Sequence, residues 1–336
     1  MEQMIGKQSL KFTNAPYIIE TACIAGKKEG EGPLGKLFDK VCEDGMFGKN
    51  TWEEAESELQ KETIALALSK ASYTPSDMRY IFAGDLLGQL IASSFGVKDY
   101  NIPFFGVYGA CSTMAETMAL ASMTVAAGYA NKVMAVASSH FASAEKQFRF
   151  PLAYGNQRPL SSTWTVTGCG AVIIGNETSA VKITGITTGK IVDYGVKDSM
   201  NMGACMAPAA ADLIYQNFMD FGVDASYYDK IVTGDLGSLG QEILITLMKE
   251  KGFDISKVHM DCGIEIFDSK TQNTASGGSG CGCAAVTLCA YLLRKMKKEW
   301  KRILFVPTGA LLYPTSFNEG KSIPGVAHGI ILERNE

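Results

Sequence analysis

Histidine is scarce in this 336-residue chain: His140, His259 and His328 are the only three, and they lie far apart. The single close cysteine pair, Cys281-Gly-Cys283, therefore lacks the neighbouring ligands a zinc site would need, and its one-residue spacer is too short for a CxxC redox motif. The nine cysteines (23, 42, 111, 169, 205, 262, 281, 283 and 289) are odd in number and follow no framework spacing, which points to a reduced compartment and not to a disulfide scaffold. Charge is modest, at 20% charged residues and a net charge of −4, with no long basic run, which argues against non-specific nucleic-acid binding. No apolar run reaches the length of a membrane span, because Glu116 interrupts the most hydrophobic region. The opening Met1-Glu-Gln-Met-Ile-Gly-Lys7 lacks the charged-then-apolar pattern of a signal peptide. A cytoplasmic protein, at most peripheral to a membrane, is expected. There is no EF-hand loop or dense carboxylate cluster, so no metal site is expected.

What the chain does have is length and 46% hydrophobic residues, enough for a substantial core in one large or two ordinary domains. The stretch Val107-Tyr-Gly-Ala-Cys-Ser-Thr-Met-Ala-Glu-Thr-Met-Ala-Leu120 carries the chemistry. Ile102–Val107 reads as a short buried strand, and Met114, Met118 and Ala121 recur at helical spacing behind Cys111. A strand, a tight turn and a helix would aim Cys111 over the sheet edge with the positive helix end beneath it, an arrangement that favours a thiolate. The competing reading makes Cys111 a small apolar filler.

Elsewhere, Thr51 caps a helix running to about Ala71, with Glu54 as its capping-box partner, and Met78–Gly84 is strand-like before Asp85 opens another helix. Lys132–Ser139 is an apolar buried strand that delivers Ser138, Ser139 and His140 towards Cys111. Strands follow at Cys169–Gly175 and Val181–Thr187, then a helix over Met202–Phe218 that starts or breaks near Pro208.

The second half echoes the first. Gly84-Asp-Leu86 recurs as Gly234-Asp-Leu236, the Gly109-Ala-Cys111 helix start as Gly278-Ser-Gly-Cys-Gly-Cys-Ala-Ala285, strand 132–139 as Arg302–Thr308, and strand 169–175 as Val326–Leu332. Four elements in the same order predict a duplicated α/β unit, residues 1–180 and 181–336, paired about a pseudo-twofold axis with a buried site between the halves. Each half should hold a mixed, mostly parallel sheet.

This plan resembles the thiolase superfamily, most closely the condensing enzymes of the ketoacyl synthase III type, which implies a layered α-β-α-β-α arrangement. More narrowly, His140-Phe-Ala-Ser-Ala-Glu-Lys-Gln-Phe-Arg-Phe-Pro151, Trp164-Thr-Val-Thr-Gly-Cys-Gly170, Met202-Gly-Ala-Cys-Met-Ala-Pro-Ala-Ala-Ala-Asp212 and Gly234-Asp-Leu-Gly-Ser-Leu-Gly240 resemble the stage V sporulation protein AD family. That resemblance implies binding of dipicolinic acid (pyridine-2,6-dicarboxylate) and its uptake into the developing spore with membrane proteins of the same operon, at or near the inner forespore membrane. It implies no cofactor, calcium entering at most with dipicolinate. Fold analogy implies a homodimer joined through strands of the first half.

The condensing enzymes also supply a residue-by-residue expectation. Cys111 matches the acyl-accepting nucleophile, which in such enzymes works with a histidine. Where a synthase III reads Pro-His-Gln-Ala-Asn this chain reads Thr233-Gly-Asp-Leu-Gly237, so the histidine becomes Gly234. Gln272-Asn-Thr274 replaces the thiolase Gly-His-Pro, and Pro307-Thr-Gly309 offers no second cysteine. A full condensing cycle is not expected; acyl transfer on Cys111 is the enzymatic alternative. A flat dianion would need cationic forks, backbone donors and an apolar slot. Candidates are Arg149, Arg158 and Trp164 on the loop after His140, His140 itself, Cys111, Asn273, and Gly278 at the second helix start. Asp235 would add negative charge. Each has a plainer role: solvated or interface charges for the arginines, a satisfied core residue for His140, a loop residue for Asn273, and an N-cap for Asp235 as for its repeat partner Asp85.

Overall fold

The computed structural model describes residues 3–148, 152 and 158–335. Ten strands carry the fold: β1 (Tyr17–Gly26), β2 (Tyr80–Gly84), β3 (Phe104–Gly106), β4 (Lys132–Ser139), β5 (Gly168–Gly175), β6 (Val181–Thr187), β7 (Lys230–Thr233), β8 (His259–Asp261), β9 (Arg302–Val306) and β10 (Gly329–Arg334). Their order across the sheet is β8-β7-β9-β10-β6-β1-β5-β4-β2-β3. Outwards from the centre, each half runs first, fifth, fourth, second, third. The pairing senses repeat as well: β4-β2-β3 and β9-β7-β8 are parallel, while β1-β5-β4 and β6-β10-β9 are antiparallel. β1 and β6 meet antiparallel through Tyr17, Ile18, Val181 and Lys182.

Six helices matter for the site: α1 (Trp52–Ala71), α2 (Thr113–Ala126), α3 (Phe141–Glu145), α4 (Met202–Phe221), α5 (Gly237–Glu250) and α6 (Cys281–Thr287), the last continuing through a π turn into Leu293–Lys298. α2 packs on β4 of its own half and β10 of the other, α6 packs on β5 and β4, and the two helices touch. They form the middle layer, while α1 covers the outer face of β1, β5 and β4, and α4 that of β10 and β6. The five-layer α-β-α-β-α arrangement of the thiolase-like fold results. The middle layer is apolar on nearly every side: Met114, Met118, Ala121, Cys281, Cys283 and Val286 are all fully buried. Burying a methionine side chain of this kind is worth roughly 1.5–3 kcal/mol.

The Thr51 cap forms, its hydroxyl oxygen accepting from the Glu54 amide at 3.2 Å. Three expectations are corrected. Asp85 opens no helix: residues 85–87 are a loop and the helix starts at Ile91, because the Asp85 carboxylate folds the loop back by accepting from the Leu87 amide at 2.8 Å and from the Ser93 amide and hydroxyl at 2.7 and 2.6 Å. α4 neither starts nor breaks at Pro208. It starts after Asn201, whose side chain caps the Ala204 amide at 3.2 Å, and runs through the proline. Strand β3 is not buried: it is the sheet edge, with Phe104 39% and Phe105 51% exposed. Among the described residues no helix is long and apolar enough to cross a membrane.

Candidate functional site

Cys111 sits between β3 and α2, two residues before the helix. Ala110 takes a left-handed conformation at φ +51°, and Ser112 and Thr113 close the turn by donating their amides to the Gly109 and Ala110 carbonyls at 3.0 and 3.2 Å. The turn is wedged against the second half: a Cβ on Gly309 would stand 2.1 Å from the Gly109 carbonyl oxygen, so only glycine allows that approach.

Asp235 lies close enough to the thiol for its charge to act on it. Asp235 is fully buried, and its Oδ2 accepts from the Gly280 amide at 2.9 Å and its Oδ1 from the Thr308 hydroxyl at 3.0 Å. Burial, and then the adjoining carboxyl, push the Cys111 thiol well above its ordinary value. The thiolate expected from a helix start is thereby corrected: desolvation and a neighbouring acid outweigh the positive helix end. Burial likewise raises Asp235, to about 7.

Nor is Asp235 the N-cap of α5. That task falls to Asp261, which lies directly beside Thr233 in the parallel β7-β8 pair and accepts from the Leu236 and Gly237 amides at 2.9 and 3.1 Å. At Gly234, where the resemblance to the condensing enzymes would put their histidine, a Cβ would come 3.0 Å from Pro307 Cα and 3.3 Å from Ala284 Cβ. That spacing is tight even for a methyl group.

A cleft opens above the thiol, about 730 Å³ when counted out to its open mouth. Ala110, Cys111, Ser279 and Gly280 form its floor, and Glu145, Thr163 and Thr165 one wall. Met200, Met202, Leu312 and Phe317 supply an apolar side, and Tyr108 and Ser199 are hydroxyl-bearing residues of the lining. No lysine, arginine or histidine is among these described lining residues.

Arg158 does not face the cleft as a free fork. Its guanidinium is paired with the fully buried carboxylate of Glu145, Nη2 to Oε2 at 2.9 Å and Nη1 to Oε1 at 3.4 Å, and donates to the Thr163 carbonyl at 2.8 Å. Trp164 and Phe141 stack at 4.2 Å between ring centres, and the Arg158 guanidinium lies 4.5 Å from the Trp164 centre. Trp164 thus braces the wall from behind without lining the cleft. His140 is turned away: Nε2 lies 2.7 Å from the Gly45 carbonyl and Nδ1 accepts from the Ala142 and Ser143 amides, so both nitrogens are engaged and burial lowers its pKa. Asn273 is an exposed loop residue at φ +51°. Gly278 lies beneath the floor, facing Ile266 and Val166, and its neighbours Ser279 and Gly280 line the cleft in its place. Arg149 falls outside the described residues. Cys111 and Asp235 are therefore brought together, while His140, Arg158, Trp164 and Asn273 are not directed into the cleft. The Glu145 partner of Arg158 and the Thr308 partner of Asp235 were missed, since each pairing joins segments that no local spacing connects.

Solved structures similar to this one include a condensing enzyme and a thiolase. The chain is similar to the 3-oxoacyl-[acyl-carrier-protein] synthase III of Aquifex aeolicus (TM-score 0.55, 13% identity, 95% of this chain and 99% of that one). It is also similar to the Acat5 thiolase of Ascaris suum in complex with coenzyme A (TM-score 0.58, 11% identity, 96% and 100%). These likenesses define the class, a thiolase-like fold. Sequence narrows it: the family described as Stage V sporulation protein AD (SpoVAD) matches residues 6–333, and the Stage V sporulation protein AD of Bacillus subtilis (strain 168) is 41% identical over 333 residues, 99% of this chain and 98% of that protein. The chain belongs to the stage V sporulation protein AD family.

Proposed function

We propose that this sporulation-family protein binds dipicolinic acid in the cleft above Cys111 and assists its uptake into the developing spore, together with membrane proteins of the same operon. The observation that carries the reading is the cleft over Cys111, with an apolar side and hydroxyl-bearing residues in its walls and no lysine, arginine or histidine among its described lining residues. A flat aromatic ring fits between Met200, Leu312 and Phe317, and carboxylates can accept from hydroxyl and thiol donors on the floor and walls. Calcium would enter only with the ligand; among the described residues no group of three His, Cys, Asp or Glu side chains is placed to hold a metal. Calorimetric titration with dipicolinate, beside its 3,4-isomer and a monocarboxylate, tests the proposal: saturable heat selective for the 2,6-compound supports it. Acyl transfer on Cys111 is the enzymatic alternative, weakened by the protonated thiol and the filled space at Gly234. A covalent acyl mass on Cys111 after incubation with an acyl thioester, with no dipicolinate heat, would put that reading in its place.

A homodimer is also proposed, through the exposed edge strand β3, where Phe104 and Phe105 leave apolar surface and an unpaired backbone edge in water. Sedimentation should give twice the chain mass for the wild type and a shift to the monomer for Phe105→Asp; a wild-type monomer at micromolar concentration would refute the dimer.

A further inference from the structure

Helix α1 lies in an outer layer over β1, β5 and β4, where a packed helix ordinarily presents apolar side chains. Among Ala55, Leu59, Ile64 and Ala67 it also presents Glu56, Gln60 and Thr63, at i, i+4 and i+7, and all three are fully buried. Thr63 turns back on its own helix, donating to the Leu59 carbonyl at 2.7 Å. Glu56 and Gln60 instead reach into three other segments.

The Glu56 carboxylate accepts from the Ser143 hydroxyl at 2.7 Å and from the Ser138 hydroxyl at 2.8 Å. Gln60 donates its amide to the same Ser138 oxygen at 2.8 Å and to the Ser93 hydroxyl oxygen at 2.9 Å, and Ser93 in turn donates to Asp85 at 2.6 Å. The Ser138 carbonyl accepts from the Cys281 thiol at 2.8 Å. Each segment reached in this way carries cleft-lining residues one or two positions away. Ala144 and Glu145 follow Ser143, Leu86 follows Asp85, and Ser279 and Gly280 precede Cys281. Two residues one turn apart on α1 thus tie together three parts of the cleft lining without belonging to it.

A carboxyl buried on a helix face costs free energy that an apolar side chain in the same place would not. Among the described residues no lysine, arginine or histidine pairs with Glu56, so its compensation is the two serine hydrogen bonds. Leucine would serve packing alone; it would not fix a distance between three segments.

We propose that Glu56 is a positioning residue for the cleft. With Gln60 it holds α3, the Asp85 loop and the start of α6 at the separation at which their lining residues meet one ligand together. The inference rests on the dipicolinate reading above, because the ligand measures that separation. The Ser143 hydroxyl also lies 3.1 Å from the His140 carbonyl, so it can donate there while accepting from an amide. Glu56→Gln therefore keeps both serine contacts, its oxygen accepting from Ser138 and its amide donating to Ser143. Glu56→Met fills the space and keeps neither, with Ser143 falling back on the His140 carbonyl.

Calorimetric titration with dipicolinate at pH 7, beside urea unfolding, tests this on wild type, Glu56→Gln, Glu56→Met and Ser143→Ala. Glu56→Met should fold and bind about tenfold more weakly, the size of effect that residues of a connecting network exert on a site they do not touch. Ser143→Ala, which cuts the α3 arm alone, should lose part of that affinity, and Glu56→Gln should bind as wild type does. A role in holding the fold alone would lower the unfolding midpoint and leave the affinity of the folded fraction unchanged. Wild-type affinity in a folded Glu56→Met would overturn the positioning role and leave dipicolinate as the ligand; should that variant not fold, wild-type affinity in Ser143→Ala has the same force. A folded Glu56→Gln that binds as weakly as Glu56→Met would overturn it too. The absence of heat with wild type would remove the ligand reading itself, and the positioning role with it.

Discussion

Arg158→Met is expected to destabilise the protein by about 3–5 kcal/mol and to abolish ligand binding, the cost of leaving one member of a buried ion pair unpaired. Glu145 is fully buried, and both its oxygens are held by the Arg158 fork, with Oε1 also accepting from the Thr165 amide and hydroxyl at 3.1 and 3.0 Å. Methionine keeps much of the arginine's packing against Trp164 and Phe141 but supplies no donor, so the loss is electrostatic and not a cavity. Glu145, Thr163 and Thr165 are also the cleft wall, so the same change moves the binding surface. Urea unfolding at pH 7 measures the first effect and calorimetry the second. Arg158→Met combined with Glu145→Gln should recover most of the stability, because glutamine still accepts from Thr165 without a buried charge. A double variant as unstable as the single would show that the unpaired Glu145 charge is not what destabilises Arg158→Met.

Glu29→Gln is expected to gain about 3 kcal/mol on the wild type as pH rises from 4 to 8, the equivalent of a shift of about two and a half pKa units. Glu29 is buried beside the start of β5, where its Oε1 accepts from the Thr167 amide at 3.0 Å, and burial raises its pKa from an ordinary 4.5 to about 7. A raised acid binds its proton more tightly in the folded state. Its contribution to stability is therefore full below pH 4.5 and is lost as pH climbs to about 7. Glutamine has no such dependence. Paired urea titrations of the two proteins at pH 4, 6 and 8 read the difference directly, and parallel curves would mean that Glu29 titrates alike in the folded and unfolded protein.

The sequence reveals the fold better than the site, for a physical reason. Helix α1 is declared by Thr51 and Glu54, three residues apart, and strands β4 and β5 by apolar runs too polar-poor to face water. The repeat of Gly-Asp-Leu and of glycine-rich helix starts is visible because duplication preserves local turns. Strand β3 shows the limit of that signal: Phe104-Phe105 has the same apolar composition in a core or at an edge, and only its place at the end of the sheet distinguishes them. The two aspartates show it more sharply. Asp85 and Asp235 sit in identical tripeptides, but the loop after β7 is capped by Asp261 because β8 runs parallel alongside, which leaves Asp235 for Cys111. A partner supplied by a neighbouring strand leaves no trace in local spacing. The same holds for His140: its position after an apolar strand points at the site, yet the carbonyl of Gly45, 95 residues away, captures its ring.

The central claim is that the cleft over Cys111 holds dipicolinate, and a crystal structure of the protein grown with dipicolinate tests it most directly. The account predicts the ring between Met200, Leu312 and Phe317, with one carboxylate within hydrogen-bond distance of the Cys111 sulfur. A ligand seated elsewhere on the protein, or an unoccupied cleft at saturating dipicolinate, would contradict it.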